Sequence, residues 1–173
     1  MGIVLEKIKG LRGNMLTLEK STGAGVQSNT SMGDVMNSAI DRIVAQYRDS
    51  AFFTYEHLTD EQLLKAESEL NVTLPSQFVS FLRVFGHGGV AGVEILGVAR
   101  GGVLSFVDET KWFRKYGLPN NLVAIENHDE WLACIDCDTG KVVTWSQGGE
   151  VLPECDSFDE YVLQEYREGI DNL

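Results

Sequence analysis

The chain has 173 residues, enough for one domain with a buried core. Its 43% hydrophobic and 23% charged content is that of a water-soluble globular protein, and no apolar run approaches the roughly 20 residues that cross a bilayer. The formal net charge of −12 opposes contact with nucleic-acid phosphates and anionic membranes and favours a basic protein partner.

That charge is unevenly spread. Residues 1–31 hold Lys7, Lys9, Arg12 and Lys20 against Glu6 and Glu19, whereas the chain from Tyr116 onward has 13 acidic residues against only Lys141 and Arg167. The first 31 residues include LEKSTGAGVQSNTS, which is rich in Gly, Ser and Thr and lacks a periodic apolar face. They read as a flexible or loosely packed extension before a domain over residues 32–173. The start has no continuous apolar stretch or small-residue cleavage site, and Glu6 stands where a myristoylation motif needs Ser or Thr. A cytoplasmic protein is expected. Three cysteines, Cys134, Cys137 and Cys155, then point to reduced thiols.

Met36, Ile40, Ile43, Val44 and Tyr47 recur at helical spacing and predict an amphipathic helix. Thr59 and Gln62 form a capping box opening a second helix with Leu63, Ala66 and Leu70 on one face. Pro75 suits the first turn of a third, whose stripe is Phe78, Phe81, Leu82 and Phe85. Gly86, Gly88 and Gly89 supply its stop. Val90 to Val98 has strand composition, and Glu109 to Tyr116 predicts a short helix closed by Gly117 and Pro119.

Leu122–Glu126, Trp131–Asp136 and Lys141–Trp145 predict strands, the last two joined by an Asp138-Thr139-Gly140 turn. Ser157 and Glu160 suggest another capping box before a final helix bearing Phe158, Tyr161, Val162 and Tyr166. Strands bunched between helices with antiparallel links argue for an α+β fold.

The run LTDEQLLKAESELNVTLPSQFVSFLRVFGHGG, followed by VAGVEILG and then WLACIDCDTGKVVTW, resembles the SMI1/KNR4 (SUKH) family from about Met36 to Glu168. The resemblance implies N-terminal helices packed on a largely antiparallel sheet with a C-terminal helix. It implies a non-enzymatic binding protein: in bacteria an immunity protein that neutralises a toxin domain, often a nuclease; in fungi a regulator of cell-wall synthesis. Trp131, Asp136, Gly140 and Trp145 match the family pattern and read as fold-maintaining first, with Asp136 bonding the backbone of its own turn.

Catalytic patterns are weak. The glycines at 86, 88, 89 and 92 follow a helix C-terminus, whereas a phosphate loop opens a helix. His128, Cys134, Cys137 and Cys155 hold the atoms of a zinc site, but a single CxxC partly inside a strand fits buried or edge thiols better. The same stretch lacks the Pro and the spacing of a zinc deaminase. Asp138-Thr139-Gly140 is the aspartic-protease tripeptide in one copy, at an ordinary turn. Asp136 and Asp138 lack the remaining ligands of a calcium loop. Ser80 and Ser105 have no nucleophile elbow, and His87, nearest a pocket, reads as a capping or packing residue. No metal, cofactor or catalytic residue is expected.

What remains is a surface. Trp131 and Trp145 suit cross-strand packing, while Trp112, beside Lys111, Arg114 and Lys115, is a candidate interface anchor. Asp129, Glu130, Asp136, Asp138, Glu150, Glu154, Asp156, Asp159 and Glu160 lie at strand ends, turns and a helix start, where side chains face water. A merely solvated acidic face explains them too. With the family resemblance they point to a partner surface for a cognate basic toxin, or, as the alternative, to a regulatory scaffold for endogenous proteins.

Overall fold

The apolar spacing near the start of the domain builds α1 (Met32–Gln46), in which Ile40 is fully buried and Ile43 and Val44 pack against the core, as does Tyr47 just beyond its end. The computed structural model describes residues 32–173, so the extension predicted for residues 1–31 lies outside the described residues. A 3-10 turn (Arg48–Ser50) leads into β1 (Ala51–Phe53), too short to leave a periodic signal in sequence. β1 pairs antiparallel with β2 (Gly88–Val90). Gly88 sits at φ +120°, and a Cβ there would collide with the Phe52 carbonyl, so this glycine lets two backbones meet besides following a helix.

α2 (Asp60–Leu70) opens on the predicted box: Gln62 N–H donates to Thr59 Oγ1 at 3.1 Å and Thr59 N–H to Gln62 Oε1 at 3.0 Å. Such a cap contributes about 1 kcal/mol. In α3 (Ser76–Val84), Pro75 stands just before the first turn as N-cap. The buried stripe meets other aromatics: Phe78 lies 5.3 Å from Phe106 and 5.2 Å from Phe158, and Phe81 lies 5.5 Å from Phe158, measured between ring centres. These offset and edge-on contacts tie three helices together.

Val90 to Val98 is not one strand. β2 ends at Val90, Ala91 (φ 55°) and Gly92 (φ 89°) turn the chain, and β3 (Val98–Ala99) pairs with β4 (Val103–Leu104) away from the main sheet. Two successive positive φ angles break an extended run whatever its composition. α4 (Ser105–Arg114) begins before the predicted Glu109 because Phe106, Val107 and Thr110 form its buried face.

The main sheet is antiparallel, in the order β5 (Leu122–Asn127), β6 (Leu132–Asp136), β7 (Val142–Trp145) and β8 (Leu152–Cys155). β8 was not expected, since Pro153 argues against a strand anywhere except an edge, which is where β8 lies. Side chains alternate across the sheet. Val123, Ile125, Ala133, Ile135 and Val142 join the main core, while Leu122, Ala124, Leu132, Cys134 and Trp145 form a smaller one with Leu118.

α5 (Phe158–Asp171) packs against β8, α1 and α3, and α4 packs on β5. Its predicted box is half formed. Glu160 N–H donates to Ser157 Oγ at 3.3 Å, but the Glu160 carboxylate takes the Asp156 N–H at 3.2 Å. The fold is α+β, with N-terminal helices, a largely antiparallel sheet and a C-terminal helix. No helix among the described residues is long and apolar enough to cross a membrane.

Candidate partner-binding surface

Sheet topology sorts the acidic set into two rims. Asp129 and Glu130 in the β5–β6 hairpin share one end of the sheet with Glu150, between β7 and β8. Asp136 and Asp138 in the β6–β7 turn share the other end with Asp156 and Glu160. β8 runs between the rims as the edge strand, unpaired on its outer side among the described residues, and carries exposed Glu154. Beside it Val151 and Leu152 are 42% and 54% exposed, so the edge mixes carboxylates with apolar side chains.

Not every member of the set is free to meet a partner. Asp136 Oδ1 accepts from Asp138 N–H at 3.0 Å and from Asn121 Nδ2 at 2.9 Å, and its Oδ2 accepts from Thr139 Oγ1 at 2.9 Å. Burial pushes its pKa up, but these donors outweigh that and hold it below the usual range. Asp136 therefore builds its own turn. Asp156 is paired with Lys141 Nζ at 2.7 Å. Asp159 corrects the sequence reading: it is fully buried, neither carboxylate oxygen has a partner among the described residues, and burial pushes its pKa up to about 6. A residue in the first helical turn was expected to face water, but the α5 N-terminus is packed inward, its Asp159 N–H donating to Gln77 Oε1 at 3.3 Å.

Trp112 stands on α4, 51% exposed, with Lys115 Nζ 4.9 Å from its ring centre and Tyr116 at 5.5 Å. Trp145 is buried opposite Leu132 and meets Phe113 edge-on at 5.9 Å. Trp131 does not pair with it. It stacks on His128, ring centres 3.8 Å apart and planes within 10°.

The reactive residue types are occupied structurally. Cys134, on β6, faces the smaller core, whereas Cys137, in the turn that follows, and Cys155, on β8, pack toward the main one. Burial pushes all three thiols up to about 12, with nearby carboxylates adding to it at Cys137 and Cys155. Thiolate chemistry is disfavoured at each.

His87, Ser105 and Glu94 have the outline of a nucleophilic triad that sequence reading missed, with Nδ1 3.1 Å from Ser105 Oγ and Nε2 2.8 Å from Glu94 Oε1. The donors decide its role. Gly97 N–H donates to both Nδ1 and Ser105 Oγ, and Ser105 Oγ donates back to the Gly97 carbonyl at 3.0 Å. The hydroxyl proton is committed to backbone and the imidazole nitrogen to an amide, so neither is poised for transfer. The cluster clamps the 97–105 segment onto β2.

A family model described as "SMI1-KNR4 cell-wall" matches residues 36–167. The chain belongs to the SMI1/KNR4 (SUKH) family. A crystal structure of a protein from Pseudomonas syringae pv. tomato has the same fold, with a TM-score of 0.60 at 21% identity over 74% of this chain and 98% of that one. SUKH proteins are in general of immunity or scaffold type and non-enzymatic. In this SUKH domain the glycines of the GHGG stretch make close backbone approaches, and the DTG turn is held by Asp136.

A second polar cluster in the SUKH domain joins residues far apart in sequence: Glu126, His128, Tyr161 and Glu165. Tyr161 Oη donates to Glu126 Oε2 at 2.8 Å, and His128 Nε2 lies 3.3 Å from Tyr161 Oη. Burial pushes Glu126 up to about 7 against the Tyr161 bond, and also raises Glu165 and lowers His128. Glu126-x-His128 was a usable signal, since residues two apart on a strand share a face; its α5 partners left none.

Proposed function

We propose that this protein is an immunity protein that binds a cognate toxin and blocks it by stoichiometric occlusion, and that the toxin domain is cationic, as nucleases are. The observation that carries the reading is the open β8 edge, where exposed Val151 and Leu152 sit among Glu150, Glu154 and Glu160. The carboxylates repeat the charge of a phosphate backbone, accelerate encounter with a basic surface and pair with its Lys and Arg. The apolar pair, once desolvated, slows release. Asp129 and Glu130 extend the same field, and Trp112 is a separate anchor on α4. No bond is made or broken; inhibition follows from coverage of the toxin's substrate channel.

The deciding experiment is co-expression with the toxin encoded beside this gene, followed by binding kinetics. Cells carrying the pair survive, the proteins copurify one to one, and association slows as salt rises. Joint reversal of Glu150 and Glu154 to Lys slows association at least tenfold, on the order of 1.4 kcal/mol, while the unfolding midpoint is kept. Survival that persists in the reversed variant with an unchanged association rate overturns the assignment of this edge. Failure of any adjacent toxin to bind the unaltered protein overturns the function.

A further inference from the structure

The main sheet has a bulge in β5. The register runs Ala124↔Cys134 and then Glu126↔Ala133, leaving Ile125 without an opposite residue. On unbroken alternation Glu126 would follow Leu122 and Ala124 into the smaller core. The bulge instead turns it, with Ile125, toward α5, where Tyr161 receives it. There Glu126, His128 and Glu165 each offer a ligand atom, all within 4.8 Å of one another. We propose that these three side chains bind a divalent cation of the zinc or manganese class, clasping the β5–β6 hairpin to α5.

The spacing fits. Two ligands about 2.1 Å from one tetrahedral ion stand about 3.4 Å apart, and His128 Nε2 lies 3.7 Å from Glu126 Oε2. The stack on Trp131 holds the imidazole plane, and Tyr161 Oη, 2.8 Å from Glu126 Oε2 and 3.3 Å from His128 Nε2, fixes both atoms from within the cluster.

The charges also call for a cation. Glu126 is 6% exposed, and among the described residues the other charged groups acting on Glu126, Glu165 and His128 are Glu94, Glu154, Glu168 and Asp129, all of one sign. Buried charge without an opposite partner is costly. An independent sign comes from Tyr166, next to Glu165: it is fully buried, its hydroxyl has no hydrogen-bond partner among the described residues, and the Glu126 carboxylate acts on it. Its hydroxyl is thus a buried oxygen left unbonded one residue along α5 from Glu165.

One imidazole with two carboxylates and nearby phenols is a donor set for Zn²⁺ or Mn²⁺ rather than for soft copper. His128 and Glu165 are half-buried, which leaves a path of entry. The site departs from the sequence expectation of no metal, and it uses His128 without the cysteines once considered beside it.

The test is calorimetric titration of Zn²⁺ and of Mn²⁺ into the full-length, chelator-stripped protein, with thermal melts alongside. One of the two ions binds at one equivalent with Kd below about 100 µM and raises Tm. His128→Gln and Glu165→Gln each weaken it at least about tenfold, while Cys137→Ser does not. Absence of one-equivalent binding in the unaltered protein overturns the site, whatever the variants do. So does undiminished binding in His128→Gln with native circular dichroism, which would place the ion on surface acids. The site's success or failure is independent of toxin binding.

Discussion

His87 and His128 anchor two polar clusters of the same domain, and the contrast lies in what each hydrogen bond is committed to. Around His87 both ring nitrogens, the Ser105 hydroxyl and the Gly97 amide all have partners, several of them backbone. Thr54 extends the clamp, its hydroxyl accepting from His87 N–H and donating to the Val98 carbonyl. Around His128 stand the Glu126 carboxylate, the Tyr161 phenol and the Trp131 ring, and the charged groups acting on the cluster among the described residues are acidic. A closed network specifies structure; an open one of similar composition is where a ligand or proton can enter. The outline of a triad is therefore a poor guide unless donors are followed one at a time.

The sharpest way to break the contrast is at Gly97. A Cβ there would strike the Gly86 carbonyl and Leu82, so Gly97→Ala costs more than about 3 kcal/mol or prevents folding, as urea unfolding would reveal. A mild effect would mean that the clamp tolerates separation. Next comes His87→Ala, which leaves the Gly97 amide to Ser105 Oγ alone and loses the Ser105 and Glu94 contacts of the ring. A loss of about 2–3 kcal/mol is expected in the same assay. Under the proposed function, association with the toxin keeps its rate in the folded fraction.

Asp159 sharpens the comparison from the other side, as a buried acid with no partner among the described residues. Its folded pKa of about 6 lies above the ordinary value near 3.9, so the native state holds the proton more tightly than the unfolded chain. Native stability is then greatest below the unfolded pKa and falls as pH rises through about 6. Asp159→Asn should leave stability unchanged near pH 3 and raise it by roughly 1–3 kcal/mol at pH 7.5. Equal unfolding midpoints at pH 7.5 would show that the carboxylate has a partner in solution. The smallest effect belongs to Trp112→Ala: half-exposed, it should shift stability by no more than about 0.5 kcal/mol, and any larger consequence should appear only in partner affinity.

These residues also show what a sequence discloses. Thr59 and Gln62, the α3 stripe and the Asp138-Thr139-Gly140 hairpin were legible because their signals are local and repeat with the period of the element. β1 and β8 were not: three residues carry no period, and Pro153 is evidence against most strands. The Val90–Val98 run misled because composition does not report the left-handed turn at Ala91. On the acidic surface, residue type placed Glu150 and Glu154 at exposed positions but could not see that Asp159 faces inward. The Glu126 cluster needs a bulge and a helix 35 residues away in contact with it, and nothing local announces either.

β8 has one more consequence. A strand at the rim of a sheet ordinarily offers its amides to any neighbour, and a cell that accumulates such a protein risks fibres. Pro153 contributes no N–H, and like charges on Glu150 and Glu154 would face their own copies across any strand-to-strand contact. The margin that the proposed function opens to a toxin is thus closed to self, and concentrated protein should stay dispersed.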